Sequence, residues 1–149
     1  MRQSPARRTL NPQLSTLNMA QKLTLPAFGD IEPSRVLASD DLFAVIQDKF
    51  PISPGHAIII ACRPVARFQE LTPAEKARLL VWLDWTQQYL TSDLKPSPDA
   101  FNIGLNDGPA AGQTIAQFHL HIIPRYTGDV PDPRGGIRHI IPTKARYWQ

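Results

Sequence analysis

The most informative segment of this chain is QFHLHIIPR, residues 117–125. Polar and apolar side chains alternate along it, which is the pattern of a β-strand with one buried face. Gln117, His119 and His121 would share the other face at intervals of roughly 7 Å, because a strand rises about 3.4 Å per residue. Burying three such polar groups without partners costs free energy. We therefore expect this face to line a cleft.

The two histidines leave three interpretations open. They can be hydrogen-bonded residues without a chemical role, which is the ordinary case for an isolated His-x-His pair. They can bind a metal ion, but this needs a third ligand, and no spacing in the sequence supports Asp48, His56 or His139 as that ligand. They can also be catalytic, because a neutral imidazole is a nucleophile at physiological pH and needs no separate base.

The segment before the strand favours the catalytic interpretation. It reads DGPAAGQT, residues 107–114, and Gly108, Gly112, Gln113 and Thr114 offer backbone N–H groups and side-chain donors suited to phosphate oxygens. A glycine loop alone is weak evidence, because most such loops are simple turns. A nucleophilic histidine beside an anion-binding loop, however, is typical of phosphoryl or nucleotidyl transfer.

The rest of the chain predicts an α+β fold, with an antiparallel sheet of about five strands and one long helix. Thr72 and Glu75 have the spacing of a capping box, with Pro73 at the first helical position. Apolar residues recur at helical spacing from Ala74 to about Leu94, so the helix is expected to end near Leu94. Beyond Arg125, frequent proline and glycine predict an ordered, extended C-terminal arm. Strands are expected at residues 42–50, 56–61, 100–106 and 115–123.

Composition is that of one folded domain, which we place at residues 21–149. Hydrophobic residues make up 42% and charged residues 19% of the 149 residues, as in ordinary globular proteins. The single cysteine, Cys62, excludes an internal disulfide and a cysteine-rich zinc site. No apolar run approaches the ~20 residues of a membrane span, and the N-terminus lacks the apolar segment of a secretory signal. We therefore expect a cytoplasmic protein with no membrane partner.

The basic character belongs to the N-terminal end. Arg2, Arg7 and Arg8 account for the net charge of +3, so the remainder of the chain is balanced. A nucleic-acid-binding face would need basic residues clustered on the fold itself, so no nucleic-acid partner is expected. Residues 1–20 are polar and without periodicity, which predicts a disordered extension, and Met19 is an alternative start.

Three segments resemble the histidine triad (HIT) superfamily, and together they cover roughly residues 26–149. NDGPAAGQTIAQFHLHIIPR (106–125) is similar to its signature, in which three alternating histidines follow a Gly-Gln-Ser/Thr turn. DKFPISPGHAIIIACRPVARFQELTPAE (48–75) resembles the fragile-histidine-triad and diadenosine polyphosphate hydrolase branch. GDVPDPRGGIR (128–138) is similar to a C-terminal arm of bacterial members.

The resemblance implies a HIT-like fold and a homodimer with sheets joined edge to edge. It also implies cleavage at the α-phosphate of adenosine dinucleoside polyphosphates or related adenylates through a covalent nucleotidyl-histidine. One alternative is an adenosine phosphoramidate or acyl-adenylate hydrolase. Another is a purine-nucleotide-binding module without catalysis.

The same resemblance implies a role for each matching position. His119 corresponds to the nucleophile, and His121 to the histidine that contacts the phosphate and the leaving group. His56 corresponds to a residue that packs behind the triad, where it is expected to hydrogen-bond near Gln117. The expected substrate contacts are Gln113, Thr114 and Asn106 at the phosphates, Asp48 at the ribose hydroxyls, and Phe28, Ile31 and Phe50 around the purine.

The chain departs from the family pattern at Gln117, which replaces the first histidine of the triad. In many bacterial relatives that histidine binds a structural zinc with two cysteines and a further histidine. Pro26, Gly29 and Pro64 stand at those other positions, so we predict no structural metal. A divalent metal would then enter only with a polyphosphate substrate. The amide of Gln117 is expected to position its neighbours and to contribute to the substrate site.

Overall fold

The computed structural model of the protein describes residues 22–149. The extension predicted at residues 1–20, its three arginines and Met19 lie outside the described residues. The regular elements of the described part are seven strands and one α-helix. They are β1 (Leu23–Leu25), β2 (Gly29–Ile31), β3 (Val36–Ser39), β4 (Phe43–Gln47), β5 (Ala57–Ala61), α1 (Pro73–Asp93), β6 (Ala100–Gly104) and β7 (His119–Arg125).

Five strands form one antiparallel sheet in the order β3-β4-β5-β7-β6, which confirms the predicted α+β fold. The histidine strand β7 lies between β5 and β6 and is hydrogen-bonded on both sides. Its register pairs His119 with Ile60 and His121 with Ile58. Both histidines are thus fixed on an interior strand of the sheet.

The central strands are apolar on both faces because each face of the sheet is covered. Helix α1 covers one face, where Trp82 is fully buried with Phe43 and Phe118. The hairpin of β1 and β2 covers the other, where Leu25 and Ile31 pack against residues of β4 and β5. This two-sided cover explains the continuous apolar runs of the sequence.

Helix α1 begins as predicted, with reciprocal capping bonds. The backbone N–H of Glu75 donates to Oγ1 of Thr72 (3.2 Å), and the N–H of Thr72 donates to Oε2 of Glu75 (2.7 Å). Arg63 adds an ion pair to Glu75 at 2.5 Å. Along α1, Trp82 and Trp85 are 0% and 8% exposed, so both are packing residues. Within residues 22–149, no helix has the length and apolar content needed to span a bilayer.

Strand β7 is displaced from its predicted position toward the C-terminus. The backbone N–H of Gln117 bonds the carbonyl of Ile115 (2.8 Å) and that of Phe118 bonds Val65 (2.6 Å), so a turn precedes the strand. Pro124 fits inside β7 because the pairing with β5 ends at Ile122, which leaves no ladder partner for the missing N–H.

The C-terminal arm takes the irregular course that the sequence predicts. It contains two short 3₁₀ turns, at Gly136–Ile140 and Pro142–Lys144, and lies against the edge strand β6. Arg125, at the end of β7, donates to Asn102 of β6 (2.5 Å) and forms an ion pair with Asp129 (2.7 Å). These contacts hold the start of the arm beside the histidine strand.

Candidate active site

Three histidine rings lie close together where β7 runs beside the start of β5. His119 and His121 come from β7, and their ring centroids are 5.2 Å apart. His56 directly precedes β5, and its ring centroid is also 5.2 Å from that of His121. Because β5 and β7 are adjacent and antiparallel, the sheet itself brings these residues together.

In His119, the ring nitrogen Nδ1 is hydrogen-bonded within the protein, whereas Nε2 is free to react. Its Nδ1 lies 2.8 Å from the backbone carbonyl of Gln117. A carbonyl can only accept, so Nδ1 carries the proton, and the neutral ring has its lone pair on Nε2. The residue is 8% exposed. This arrangement leaves Nε2 with the electron pair of a nucleophile.

A chain of hydrogen bonds fixes the tautomers of the other two rings. The backbone N–H of Ile52 donates to Nδ1 of His56 (3.3 Å), which places the ring proton of His56 on Nε2. That Nε2–H donates to Nδ1 of His121 at 3.0 Å. His121 consequently carries its own proton on Nε2, where it can donate to a ligand oxygen.

The surroundings keep these two rings neutral. Burial lowers the pKa of His121 to about 4, helped by the nearby His119 and His56 and opposed by Asp48. Burial also lowers the pKa of His56, again against the carboxylate of Asp48. Contacts of Asp48 Oδ2 with His56 Nε2 (3.5 Å) and His121 Nδ1 (3.7 Å) are therefore not ion pairs at neutral pH.

Asp48, His56 and His121 are also the candidate metal-binding group among residues 22–149. Their ligand atoms all lie within 4.8 Å of one another. The sequence spacing of Asp48 and His56 gave no sign of this, because the sheet rather than the chain brings them to His121. The bond from Ile52 opposes metal binding, since it puts a proton on the nitrogen of His56 that would have to bind the ion. His139 lies in the C-terminal arm, bonded to the carbonyl of Arg134 (3.1 Å).

The glycine loop is shaped by the side chain of Gln113. Its Oε1 accepts from the N–H of Gly108 (2.9 Å), and its Nε2 donates to the carbonyls of Ala66 (2.9 Å) and Ile115 (3.1 Å). The Gln113 amide is thus engaged within the protein. Gly108 has φ of 107°, which favours glycine.

The other loop residues differ in their surroundings. Thr114 is exposed and Asn106 is half-buried. Arg67, which the sequence did not single out, lies against this loop and pairs with Asp107 at 3.1 Å. A Cβ on Gly108 would come within 2.9 Å of the Arg67 guanidinium. No local pattern marks such a cation, because the contact joins segments 40 residues apart.

The three residues expected around a purine lie in different places. Phe28, in the turn between β1 and β2, contacts the ring of His119 edge-on, with centroids 5.2 Å apart and planes at 85°. Ile31 is 3% exposed and packs in the core beneath the hairpin. Phe50 is 77% exposed on the loop after β4, and its N–H bonds Oδ1 of Asp48 (2.8 Å). Only Phe28 of these three is placed directly against the histidines.

Gln117 faces the interior and not a cleft. It is 0% exposed, and its Oε1 accepts from the backbone N–H of Ala27 (2.8 Å) while its Nε2 donates to the carbonyl of Ala61 (2.6 Å). His56 bonds His121 and not Gln117, so the expected bond between His56 and the neighbourhood of Gln117 is wrong. Pairing of β5 with β7 places His56 opposite the far end of the strand.

Comparisons with known proteins agree with this architecture. The HIT domain model matches residues 31–128. The chain is 31% identical over 129 residues to the AP-4-A phosphorylase of Mycobacterium tuberculosis, covering 85% of this chain and 63% of that protein. It is 40% identical over 96 residues to the asymmetrical bis(5'-nucleosyl)-tetraphosphatase of Schizosaccharomyces pombe, covering 64% and 52%.

A similar fold is present in the crystal structure of the C. elegans NitFhit protein. The TM-score is 0.67 at 28% identity, over 83% of this chain and 29% of that one. The chain thus spans between half and two thirds of the length of the two curated relatives above. The family model covers well over half of the chain, including both histidines of β7 and the glycine loop. This chain belongs to the HIT domain family.

Proposed function

We propose that the protein is a nucleotide hydrolase or transferase that cleaves at the α-phosphate of adenosine dinucleoside polyphosphates or related adenylates. The observation that carries the proposal is the hydrogen bond from Nδ1 of His119 to the carbonyl of Gln117, which leaves Nε2 open. The names of the two curated relatives, an AP-4-A phosphorylase and a bis(5'-nucleosyl)-tetraphosphatase, support this substrate class.

In the first step, Nε2 of His119 attacks the α-phosphorus. The P–N bond forms as the P–O bond to the leaving phosphate breaks, and the Nε2–H of His121 donates to the departing oxygen. His119 keeps its proton on Nδ1, so the nucleotidyl-imidazole carries positive charge that the Gln117 carbonyl stabilises. That charge also makes the imidazole a good leaving group for the second step.

In the second step, water attacks the phosphorus and the P–N bond breaks. His119 recovers its lone pair, and the mononucleotide leaves with one proton of the water on its phosphate while the other proton goes to solvent. Each in-line step inverts the phosphorus, so the overall reaction proceeds with retention. In a phosphorylase, inorganic phosphate takes the place of water with the same balance of bonds.

Other residues are proposed to hold the nucleotide. Asp48 is half-buried beside the histidines, where a carboxylate can accept from both ribose hydroxyls. Thr114, Asn106 and the loop N–H groups are proposed to contact the phosphates, and Gln113 to shape that loop. Phe28, whose ring contacts that of His119, is proposed to contact the base. A divalent metal is proposed to enter, if at all, with the polyphosphate.

A homodimer in the cytoplasm is proposed as the working form. The strand β6 is at the edge of the sheet, and Ile103 on it is 38% exposed. An edge strand with an exposed apolar side chain tends to be paired or covered. Light scattering measures the molar mass in solution, and a homodimer should have twice the mass of one chain.

A substrate panel tests the proposed function. Initial rates are measured with diadenosine tetraphosphate, diadenosine triphosphate, an adenosine phosphoramidate and an acyl-adenylate, each with water alone and with added phosphate. We expect the dinucleoside polyphosphates to have the largest kcat/KM and to release a mononucleotide. Fastest cleavage of the phosphoramidate or the acyl-adenylate would replace this substrate class. Tight AMP binding without turnover of any substrate would indicate a binding module.

A further inference from the structure

We propose that Gln117 is a positioning residue whose buried amide holds the turn at residues 26–28 so that Phe28 forms a wall of the nucleotide site. The role rests on the proposed function, because a wall matters only if a nucleotide binds beside His119. It differs from the expected role of Gln117 as a substrate contact. A fully buried side chain acts through the groups that it holds.

The amide of Gln117 links the turn of the β1–β2 hairpin to the end of β5. Its Oε1 accepts from Ala27 in the turn of the β1–β2 hairpin, and its Nε2 donates to Ala61 at the end of β5. Both bonds are to backbone groups, at 2.8 and 2.6 Å, so Gln117 supplies the one side chain in this link between the turn and β5. Removal of the amide would free the N–H of Ala27 in the exposed turn and leave the buried carbonyl of Ala61 without this donor.

The hairpin is short enough to need such a tether. Each of its strands has three residues, and an isolated two-stranded hairpin is marginally stable in water. Leu25 and Ile31 anchor the strands in the core, whereas Pro26 and Ala27 in the turn are exposed. The bond from Ala27 to Gln117 fixes the exposed turn relative to the sheet.

One residue therefore orients both partners of an aromatic contact. The backbone carbonyl of Gln117 holds Nδ1 of His119, and its side chain holds the residue next to Phe28. The Phe28 ring then meets the His119 ring edge-on at 5.2 Å. A nucleotide attached to Nε2 of His119 would therefore lie beside the ring of Phe28, whose position this contact fixes.

The substitution Gln117→Met tests the role, because methionine keeps the length and the apolar stem but has neither amide group. The backbone bond to His119 remains, so the rate of the chemical step in bound substrate should stay within about threefold of wild type. With Phe28 no longer held, KM for the dinucleotide and the Kd for AMP should rise about tenfold. Hydrogen exchange at the Ala27 amide should accelerate.

A double-mutant cycle with Phe28→Leu separates positioning from general destabilisation. If Gln117 acts through Phe28, adding Gln117→Met to Phe28→Leu should change KM by less than about twofold. Thr86→Val is the matched control, because it removes another buried hydrogen bond, from Thr86 Oγ1 to the carbonyl of Trp82 on α1 (2.7 Å). That variant should lower Tm without changing KM.

Two results would overturn the proposal. One is a Gln117→Met protein whose AMP affinity and KM stay within twofold of wild type. The other is a cycle in which the two effects on KM multiply. Binding of AMP and exchange at Ala27 need no turnover, so they test the tether even if no substrate is cleaved. If the wild-type protein cleaves no substrate, while AMP binding and exchange at Ala27 respond to Gln117→Met as expected, the proposed function is wrong and the tether stands.

Discussion

The two ends of the short motif QFHLH differ in what their side chains bond to. At its C-terminal end, His121 bonds another side chain, and the chain Ile52–His56–His121 directs a proton toward the open side of the site. At its N-terminal end, Gln117 bonds only backbone, through its amide, to two separate elements. One half of the motif thus orients protons, and the other half positions segments of the chain. His119 lies between them and receives a contact from each side.

The largest expected effect comes from the residue between the two ends. Replacement His119→Ala removes the proposed nucleophile and should reduce kcat/KM by at least about 10³-fold, as the loss of a covalent nucleophile does in other enzymes. The matched control is His139→Ala, because His139 lies in the C-terminal arm and should leave the rate unchanged. Steady-state kinetics with the best substrate of the panel measure both. Activity within tenfold of wild type in His119→Ala would rule out the mechanism.

The proton-orienting end is tested by two replacements of His56. His56→Leu removes the donor to Nδ1 of His121, so His121 can adopt the wrong tautomer, and kcat should fall about 10–100-fold. His56→Gln can still donate through its amide and should retain most of the lost rate. Single-turnover rates distinguish the pair. Equal loss in both variants would show that packing, and not the proton on His121, matters at this position.

The neutral state of His121 makes a prediction about stability and pH. Its pKa is lowered from about 6.5 in the unfolded chain to about 4 in the folded protein. The unfolded chain therefore binds the proton more readily in this range, and stability is lost as pH falls from about 6.5 toward 4. Urea unfolding at pH 7 and pH 5 measures the loss. It should be smaller in His121→Gln, which has no titrating ring there, and an equal loss in both proteins would place the cause elsewhere.

The smallest expected effect is that of a chelator on stability, because we predict no structural zinc at the Gln117 end of the motif. Gln117, Pro26, Gly29 and Pro64 offer no thiolate or imidazole at the positions of the family's zinc ligands. Treatment with a chelator should change Tm by less than about 1 °C. Plasma emission after chelator-free purification should find far less than one zinc per chain. A stoichiometric zinc would contradict the prediction and the role given to the Gln117 amide.

Much of the fold was predictable because its signals are local. Thr72 and Glu75 mark the start of α1 within four residues, and the apolar run at residues 57–61 marks β5. Strands β1, β2 and β3 were not predicted, because three or four residues are too few to show a period. The end of β7 was misplaced because a proline normally closes a strand, whereas the pairing of β7 with β5 ends at Ile122, before Pro124.

The site was predictable only where its residues share a sequence pattern. His119 and His121 follow from alternation along one strand, and the glycine loop from its position before it. The bond from His56 to His121 spans 65 residues, and that from Gln117 to Ala27 spans 90, so both depend on strand register and hairpin packing. Burial of the Gln117 side chain was likewise invisible, because an amide next to two histidines resembles a ligand contact. Its partners are backbone groups, which carry no mark in a sequence.

The most direct test of the central claim is mass spectrometry of the protein quenched in acid-free denaturant during turnover of diadenosine tetraphosphate. The proposed mechanism predicts a peptide containing His119 that carries one adenylyl group, formed within a single turnover and lost on further incubation. His119→Ala should show no such adduct, and His56→Leu should form it more slowly. Rapid turnover with no adduct on His119, or an adduct on another residue, would rule out His119 as the nucleophile.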